Sequence, residues 1–231
     1  LNNTTFSLAD TNASALALAG LTLGNGSVTT VGVAGTPSNA TLQSLTLNGG
    51  KLNFTGGAPF SSAESTITTQ TLGASGGTVN LVSGASWDNN LPSALSILDQ
   101  DRGAVTRLIS ANSASGVENL TLTIDDVAVT PGQGVVKGID QNAVRVAEAT
   151  YNYTLSNTNA LGAFGLYLNY DLSAINLLLD NPNALIIATD VSPDSNKNLT
   201  AQLTGVGGVA FDASNGALTV TNSQNNYTGS T

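Results

Sequence analysis

Residues 45–54 read Leu45-Thr46-Leu47-Asn48-Gly49-Gly50-Lys51-Leu52-Asn53-Phe54, and similar stretches stand on both sides of them. Upstream, the chain reads Leu21-Thr22-Leu23-Gly24-Asn25-Gly26, 24 residues before its counterpart. Downstream, Thr71-Leu72-Gly73 matches Thr46-Leu47 at an offset of 25 residues, and the following Gly76-Gly77-Thr78-Val79-Asn80-Leu81 matches Gly49-Gly50-Lys51-Leu52-Asn53-Phe54. A period in the low twenties is typical of solenoids, in which each unit buries its apolar face against the next.

Apolar and polar residues alternate within each copy, which is the periodicity of a strand rather than of a helix. The Asn-Gly and Gly-Gly pairs between the strands form turns because they tolerate a positive φ. Such units can build a meander of hairpins or a coil of parallel strands, and the nearly constant period favours the coil. We therefore predict an all-β, right-handed parallel β-helix in which Asn, Thr and Ser side chains form ladders between coils.

Charge divides the chain into three parts. Residues 1–87 contain three charged side chains and are predicted to form regular coils, whereas residues 88–148 are richer in charge and less regular. We interpret this middle part as irregular coils with an excursion, such as a protruding loop or hairpin, that includes strands at 120–124 and 127–129. Residues 149–231 are predicted to be coils that continue past the end of the sequence, with strands at 149–155, 165–172, 184–189, 199–203 and 217–221. Residues 171–180 fit a strand or a short connector better than helical turns.

The composition limits the possible functions. Only 9% of the 231 residues are charged, so uncharged polar side chains must keep the surface soluble. Six basic residues against fifteen acidic ones give a net charge of -9, which argues against nucleic acid or an anionic membrane as a partner. The chain has no His and no Cys, which removes the Ser-His triad, the Cys nucleophile and an ordinary zinc site. We expect a protein that is not an enzyme and has no cofactor.

Two groups of carboxylates are candidates for a catalytic or a calcium site. Many parallel β-helices cleave acidic glycans with carboxylates beside a base, and the dense candidate for a polysaccharide lyase or hydrolase is Asp99, Asp101, Arg102 and Arg107. A solvated loop with weak ion pairs is the favoured interpretation of that segment. Asp125-Asp126, like Asp99 and Asp101, offers oxygen ligands for calcium, but solvated acids are again favoured because the glycine-rich calcium-binding nonapeptide is missing.

Aromatic residues suggest contacts with a glycan or packing. Trp87 stands beside Asp88, Asn89 and Asn90, where it can stack on a sugar, although a single Trp is more often a core or rim residue. Four tyrosines alternate within predicted strands, so we expect them to pack. The candidate contact residues for a ligand or a second copy of the chain are Trp87, Asp88, Asn89, Asn90, Asp99, Asp101, Arg102, Asp125 and Asp126.

The end of the chain carries a resemblance. It reads Asn225-Asn226-Tyr227-Thr228-Gly229-Ser230-Thr231, which resembles the Asn-x-Tyr-Thr-Gly-x-Thr repeat of autotransporter passenger domains. Upstream, Gly165-Leu166-Tyr167-Leu168-Asn169-Tyr170-Asp171-Leu172 and Leu199-Thr200-Ala201-Gln202-Leu203-Thr204-Gly205 are similar to the segment that precedes this repeat in self-associating members. The resemblance covers residues 150–231 by motif and residues 1–90 in composition only.

The resemblance implies a β-helix on the surface of a Gram-negative bacterium, exported by type V secretion. In intact members a separate C-terminal β-barrel provides the anchor, so this fragment is expected to make no membrane contact and to be cell-surface or secreted. Adhesion, autoaggregation, biofilm formation and virulence are the implied roles. We expect self-association between neighbouring cells, with host adhesion through a glycan or an extracellular-matrix protein as the alternative.

Overall fold

The computed structural model describes residues 1–8, 19–32, 39–55, 66–82, 96–130, 132–159, 161–191 and 197–231. The chain divides into two compact units. Unit 1 comprises the described residues within Leu1–Asp88, Val105–Val129 and Thr154–Asn169. Unit 2 comprises those within Asn89–Ala104, Thr130–Tyr153 and Tyr170–Thr231. The three parts predicted from the sequence (1–87, 88–148 and 149–231) were divided by charge and regularity rather than by compactness, so that division stays a prediction.

Nearly all of the described secondary structure is β-strand. The strands are β1 Thr5–Leu8, β2 Gly20–Gly24, β3 Val28–Val31, β4 Asn39–Thr55, β5 Thr66–Val82, β6 Ala104–Ser115, β7 Leu120–Ile124, β8 Val127–Ala128, β9 Val135–Gln141, β10 Val144–Thr158, β11 Phe164–Leu177, β12 Leu185–Ala188, β13 Asn198–Leu199, β14 Gln202–Gly205, β15 Val209–Asp212 and β16 Thr219–Val220. One short helix, α1, spans Ile97–Asp101, and a 3₁₀ turn spans Val117–Asn119. None of the helices in the described ranges is long and apolar enough to span a bilayer.

Strands β1 to β7 of unit 1 are parallel and stacked coil on coil. Strand β1 pairs with β3, both β2 and β3 pair with β4, β4 pairs along its length with β5, and β5 pairs with β6 and β7, all in parallel. Parallel neighbours require a crossover connection, so each coil returns to the same side before the next begins. The predicted all-β parallel β-helix is confirmed.

The register corrects one of the two predicted spacings. Leu21 pairs with Leu45, as the 24-residue offset predicted. Leu72 pairs with Leu45 rather than with Leu47, and Asn53 bonds to Asn80, 27 residues away, so the predicted spacing of 25 was wrong. A shift of two residues keeps every side chain on the same face of a strand, which is why the apolar pattern did not expose the error.

The core of unit 1 contains stacks of equivalent apolar side chains. One stack passes through five successive strand positions joined by the register, and all of its members are buried: Leu8, Val31, Phe54, Leu81 and Ile124. Burying one such side chain contributes roughly 1.5–3 kcal/mol. Repetition of the same position therefore supplies a large part of the stability of the unit.

Strand β4 bends twice, so that one strand follows three sides of a coil. Inward and outward residues alternate along it except at Gln43-Ser44 and at Asn48-Gly49, where two neighbours both face outward. The second bend has Gly49 at φ 88°, a conformation that favours glycine. Strand β5 shows the first of these breaks at Gln70-Thr71. The coils of unit 1 therefore have straight segments separated by corners.

Unit 2 combines an antiparallel part with parallel coils. Strands β9 and β10 form an antiparallel hairpin. Strand β10 is also antiparallel to β11, because Glu148 contacts Asn176 in unit 2 while Ser156 contacts Asn169 where the same two strands belong to unit 1. The pairs β11–β14, β12–β15 and β13–β16 are parallel. The strands expected at 165–172 and 184–189 are found, whereas 199–203 is split between β13 and β14.

The edge of β12 is closed by a side chain. Gln141 donates from Nε2 to the carbonyl oxygen of Ile186 at 2.8 Å, and the Ile186 N–H donates to Gln141 Oε1 at 3.0 Å. The side-chain amide thus occupies the place of a peptide group in a neighbouring strand. Such closure protects an edge against pairing with another chain.

The buried hydroxyl of Thr29 generates a stability prediction. Thr29 is 0% exposed, and its Oγ1 has no hydrogen-bond partner within the described ranges. Thr29→Val keeps the shape and removes the unsatisfied group, so we expect the free energy of unfolding in urea to rise by about 1 kcal/mol.

The matched control is Thr123→Val. Thr123 Oγ1 donates to Asn80 Oδ1 at 2.7 Å in a buried position, so this variant should lose about 1 kcal/mol. Equal effects of the two substitutions would contradict the assignment.

Candidate interaction surface

The sequence-predicted contact residues are distributed over several parts of the chain. Trp87, Asp88, Asn89 and Asn90 lie outside the described residues. Asp125 and Asp126 belong to unit 1, whereas Asp99, Asp101 and Arg102 belong to unit 2. The described candidates therefore belong to two units.

Asp125 and Asp126 form the two-residue turn of the β7–β8 hairpin. Their φ angles of 48° and 66° are both positive, as the favoured hairpin turns require, and Asp tolerates this conformation. The Asp126 N–H donates to Asn80 Oδ1 at 3.0 Å, and the Asp126 carboxylate pairs with Lys51. The turn thus caps a polar ladder in which Asn80 Nδ2 donates to Asn53 Oδ1 at 3.1 Å.

Asp99 and Asp101 lie in helix α1, not in a solvated loop, so that interpretation was wrong. Ser96 caps the helix, accepting from the Asp99 N–H at 3.1 Å and donating to the Asp99 carboxylate at 3.0 Å. Ser96 and Asp99 have the spacing of a capping box, although the Asp99 carboxylate accepts from the Ser96 hydroxyl rather than from its backbone N–H. Gly103 follows the helix at φ 74°, which suits a helix C-terminus.

Asp101 ties the helix to a distant coil of unit 2. Its side chain is buried, with 5% of the residue exposed. Its oxygens accept from the N–H of Thr200 at 2.7 Å, the N–H of Ala201 at 2.6 Å, and the Thr200 hydroxyl at 3.0 Å. Burial of a carboxylate requires such donors. Both oxygens of Asp101 are thus occupied by protein groups, and Arg107 lies in unit 1.

Three tyrosines pack against one another in unit 2. The ring centroids of Tyr151, Tyr153 and Tyr170 are 5.9–6.4 Å apart, and all three residues are buried, so the expected packing is confirmed. The Tyr151 hydroxyl donates to Gln100 of helix α1. Burial raises the pKa of Tyr151 and Tyr153 far above the usual range. Burial, together with the nearby Asp99 and against the opposing effect of Arg102, raises the pKa of Tyr170 to about 12.

Metal ligands are not clustered in the part of the chain that the structure describes. No three carboxylates there come together in a way that could hold a metal ion. Of the two acidic pairs that could offer calcium ligands, Asp125-Asp126 forms a hairpin turn and Asp99 with Asp101 lies in helix α1.

An uncharged polar surface in unit 1 was not singled out from the sequence. Exposed side chains of successive coils bond to one another: Ser75 Oγ donates to Asn48 Oδ1 at 3.0 Å, and Asn112 Nδ2 donates to Gln70 Oε1. These bonds form the predicted kind of ladder. Residues 39–50, 66–82 and 108–117 contain no charged residue. The sequence signal that could have revealed this surface is the recurrence of Gln43 as Gln70. It becomes visible only when the repeats are aligned at a spacing of 27 residues.

The motif at the end of the chain stacks its coil on the preceding one. Asn225 Oδ1 accepts from the N–H of Leu203 at 2.8 Å, and the Thr228 N–H donates to the carbonyl oxygen of Gly205 at 3.0 Å. A Cβ atom on Gly229 would lie 2.3 Å from the Gly207 carbonyl, so only glycine permits this approach. The residues that carry the family resemblance thus hold coils together.

The chain is similar to the uncharacterized protein YuaQ of Escherichia coli strain K12. The two are 32% identical over 246 aligned positions, which take in 100% of this chain and 17% of YuaQ. The chain therefore spans less than a fifth of the length of this relative. No family model and no solved structure matches the chain.

The buried carboxylate of Asp101 can be tested by an amide. Asp101→Asn keeps the size but places an NH₂ group against backbone N–H donors, so we expect unit 2 to lose about 2–3 kcal/mol in urea unfolding at neutral pH. Asp99→Asn retains an oxygen for the Ser96 hydroxyl and should cost less than about 1 kcal/mol. A loss from Asp99→Asn as large as that from Asp101→Asn would be evidence against the role of Asp101.

The tyrosine cluster predicts a loss of stability in alkali. An unfolded chain releases tyrosine protons near pH 10, whereas burial in the folded chain raises the pKa of Tyr170 to about 12 and the pKa of Tyr153 far above its usual range. Their stabilising effect is complete below pH 10 and decreases as the pH rises toward the folded values. Tyr153→Phe should therefore reduce the slope of unfolding free energy against pH between 10 and 12, by up to about 1.4 kcal/mol per pH unit. An unchanged slope would contradict the raised pKa.

Proposed function

We propose that this chain is a segment of an autotransporter passenger domain, on the surface of a Gram-negative cell or secreted from it, that joins neighbouring cells by self-association. The support for the family is the parallel β-helix together with the terminal motif, whose Asn225 and Gly229 stack one coil on another. The similarity to a protein of Escherichia coli agrees with that proposal. We also propose that the chain is not an enzyme, because the buried Asp101 is committed to Thr200 and Ala201.

The observation that carries the proposed function is the uncharged polar surface of unit 1. A chain with a net charge of -9 repels its own copies wherever acids face one another. Exposed amides and hydroxyls avoid that repulsion, and they exchange hydrogen bonds with water for hydrogen bonds with a partner at a small net gain. Many copies on two cells add such gains together.

Display on a bacterium that does not aggregate tests this function. Cells that carry the chain should clump without any added ligand, and raising the salt concentration should strengthen clumping because it screens the net negative charge. The measurement is the settling rate at several ionic strengths.

A two-colour mixture provides the control. Displaying cells and bare cells, differently labelled, are mixed, and self-association predicts clumps that contain displaying cells alone. Clumps that include bare cells, or that form only after a glycan or a matrix protein is added, would instead support the host-adhesion alternative.

A further inference from the structure

Register-matched parts of three neighbouring strands form a surface without charged side chains in unit 1, and the exposed Arg107 of β6 stands just before it. We define the amide face as the outward side chains of residues 39–43 on β4, 66–70 on β5 and 110–112 on β6. The register places Thr41, Thr68 and Ser110 in one row across the three strands. Thr68 therefore lies at the centre of the face.

Side chains on the amide face are already ordered by ladder bonds. The Thr66 hydroxyl donates to Asn39 Oδ1, and Asn112 Nδ2 donates to Gln70 Oε1. Each amide has further donors and acceptors beyond the one that the ladder uses. Ordering before contact lowers the entropy lost when a partner binds.

The hydrogen-bonding groups of the amide face are complementary to the same groups on a second copy of the chain. A hydroxyl and a primary amide each donate and accept, so identical groups can bond across a two-fold axis. A carboxylate only accepts and an ammonium only donates, so neither can pair with its own kind. The absence of charge across the face removes attraction for a charged ligand and removes repulsion between copies of an acidic chain.

We infer that two copies of this chain associate through their amide faces, with Thr68 of one copy near Thr68 of the other. This inference rests on the proposed function and assigns it a surface. Three strands about 4.8 Å apart, with outward residues about 7 Å apart, give an area of roughly 300 Å². A stable interface needs about 800 Å² per partner. A single contact is therefore weak, and association appears only where many copies act together.

Particles coated densely with the chain test the assignment. Wild-type particles should clump, whereas Thr68→Glu should slow clumping at least about tenfold because it places like charges against each other at the centre of the contact. Thr121→Glu is the matched control, since it adds the same charge to an exposed strand position of unit 1 outside the amide face and should clump like wild type. Circular dichroism verifies that each variant remains folded.

A charge exchange makes the test specific. Particles that carry Thr68→Glu should clump with particles that carry Thr68→Lys, although each kind alone clumps poorly, because opposite charges then meet across the axis. Failure of this mixture to clump would refute the contact at Thr68.

The remaining outcomes separate the face from the function. Clumping of Thr68→Glu at the wild-type rate, or equal losses from Thr68→Glu and Thr121→Glu, would overturn the amide face and leave self-association standing. Wild-type particles that never clump at any salt concentration would overturn both.

Discussion

The parallel register between successive coils is the constraint on which the rest of the structure depends. Because Val31, Phe54 and Leu81 occupy one position in successive strands, every coil must present a side chain that fits the same place. The same rule acts on the outside, where Asn112 meets Gln70. An apolar row therefore buries a continuous core, and a polar row satisfies its own hydrogen bonds without charge.

The antiparallel strands lie outside this parallel register and are held together by other interactions. Where the strands turn antiparallel, from β9 to β11, no equivalent side chain stands one coil away, and particular pairs replace the ladders. The side-chain amide of Gln141 closes the edge of β12 at Ile186. Gln100 accepts a hydrogen bond from the Tyr151 hydroxyl. Asp101 accepts hydrogen bonds from Thr200 and Ala201. Four of the five tyrosines of the chain lie in β10 and β11.

The sequence predicted the repeated part well because its information is local. Alternating Leu45 and Leu47 with glycine corners indicated strands and coils, and the match of residues 51–54 with 78–81 agrees with the observed register. Helix α1 was missed, although Ser96 and Asp99 at capping-box spacing and Gly103 after them were visible signals. The bond between Asp101 and Thr200 spans 99 residues and belongs to no repeat, so no local pattern could predict it.

The contact residues predicted from the sequence differ from the amide face for a related reason. Charged and aromatic residues attract attention in a sequence, but this chain uses Asp101 and Asp126 to hold its own backbone in place. The exposed amides of Gln70 and Asn112 look ordinary one at a time, and they become a surface only when the register brings them together. In a repeat protein of low charge, a contact face is a property of the stacking rather than of any single residue. The same periodicity that builds the core therefore arranges the exposed side chains through which we propose that it associates.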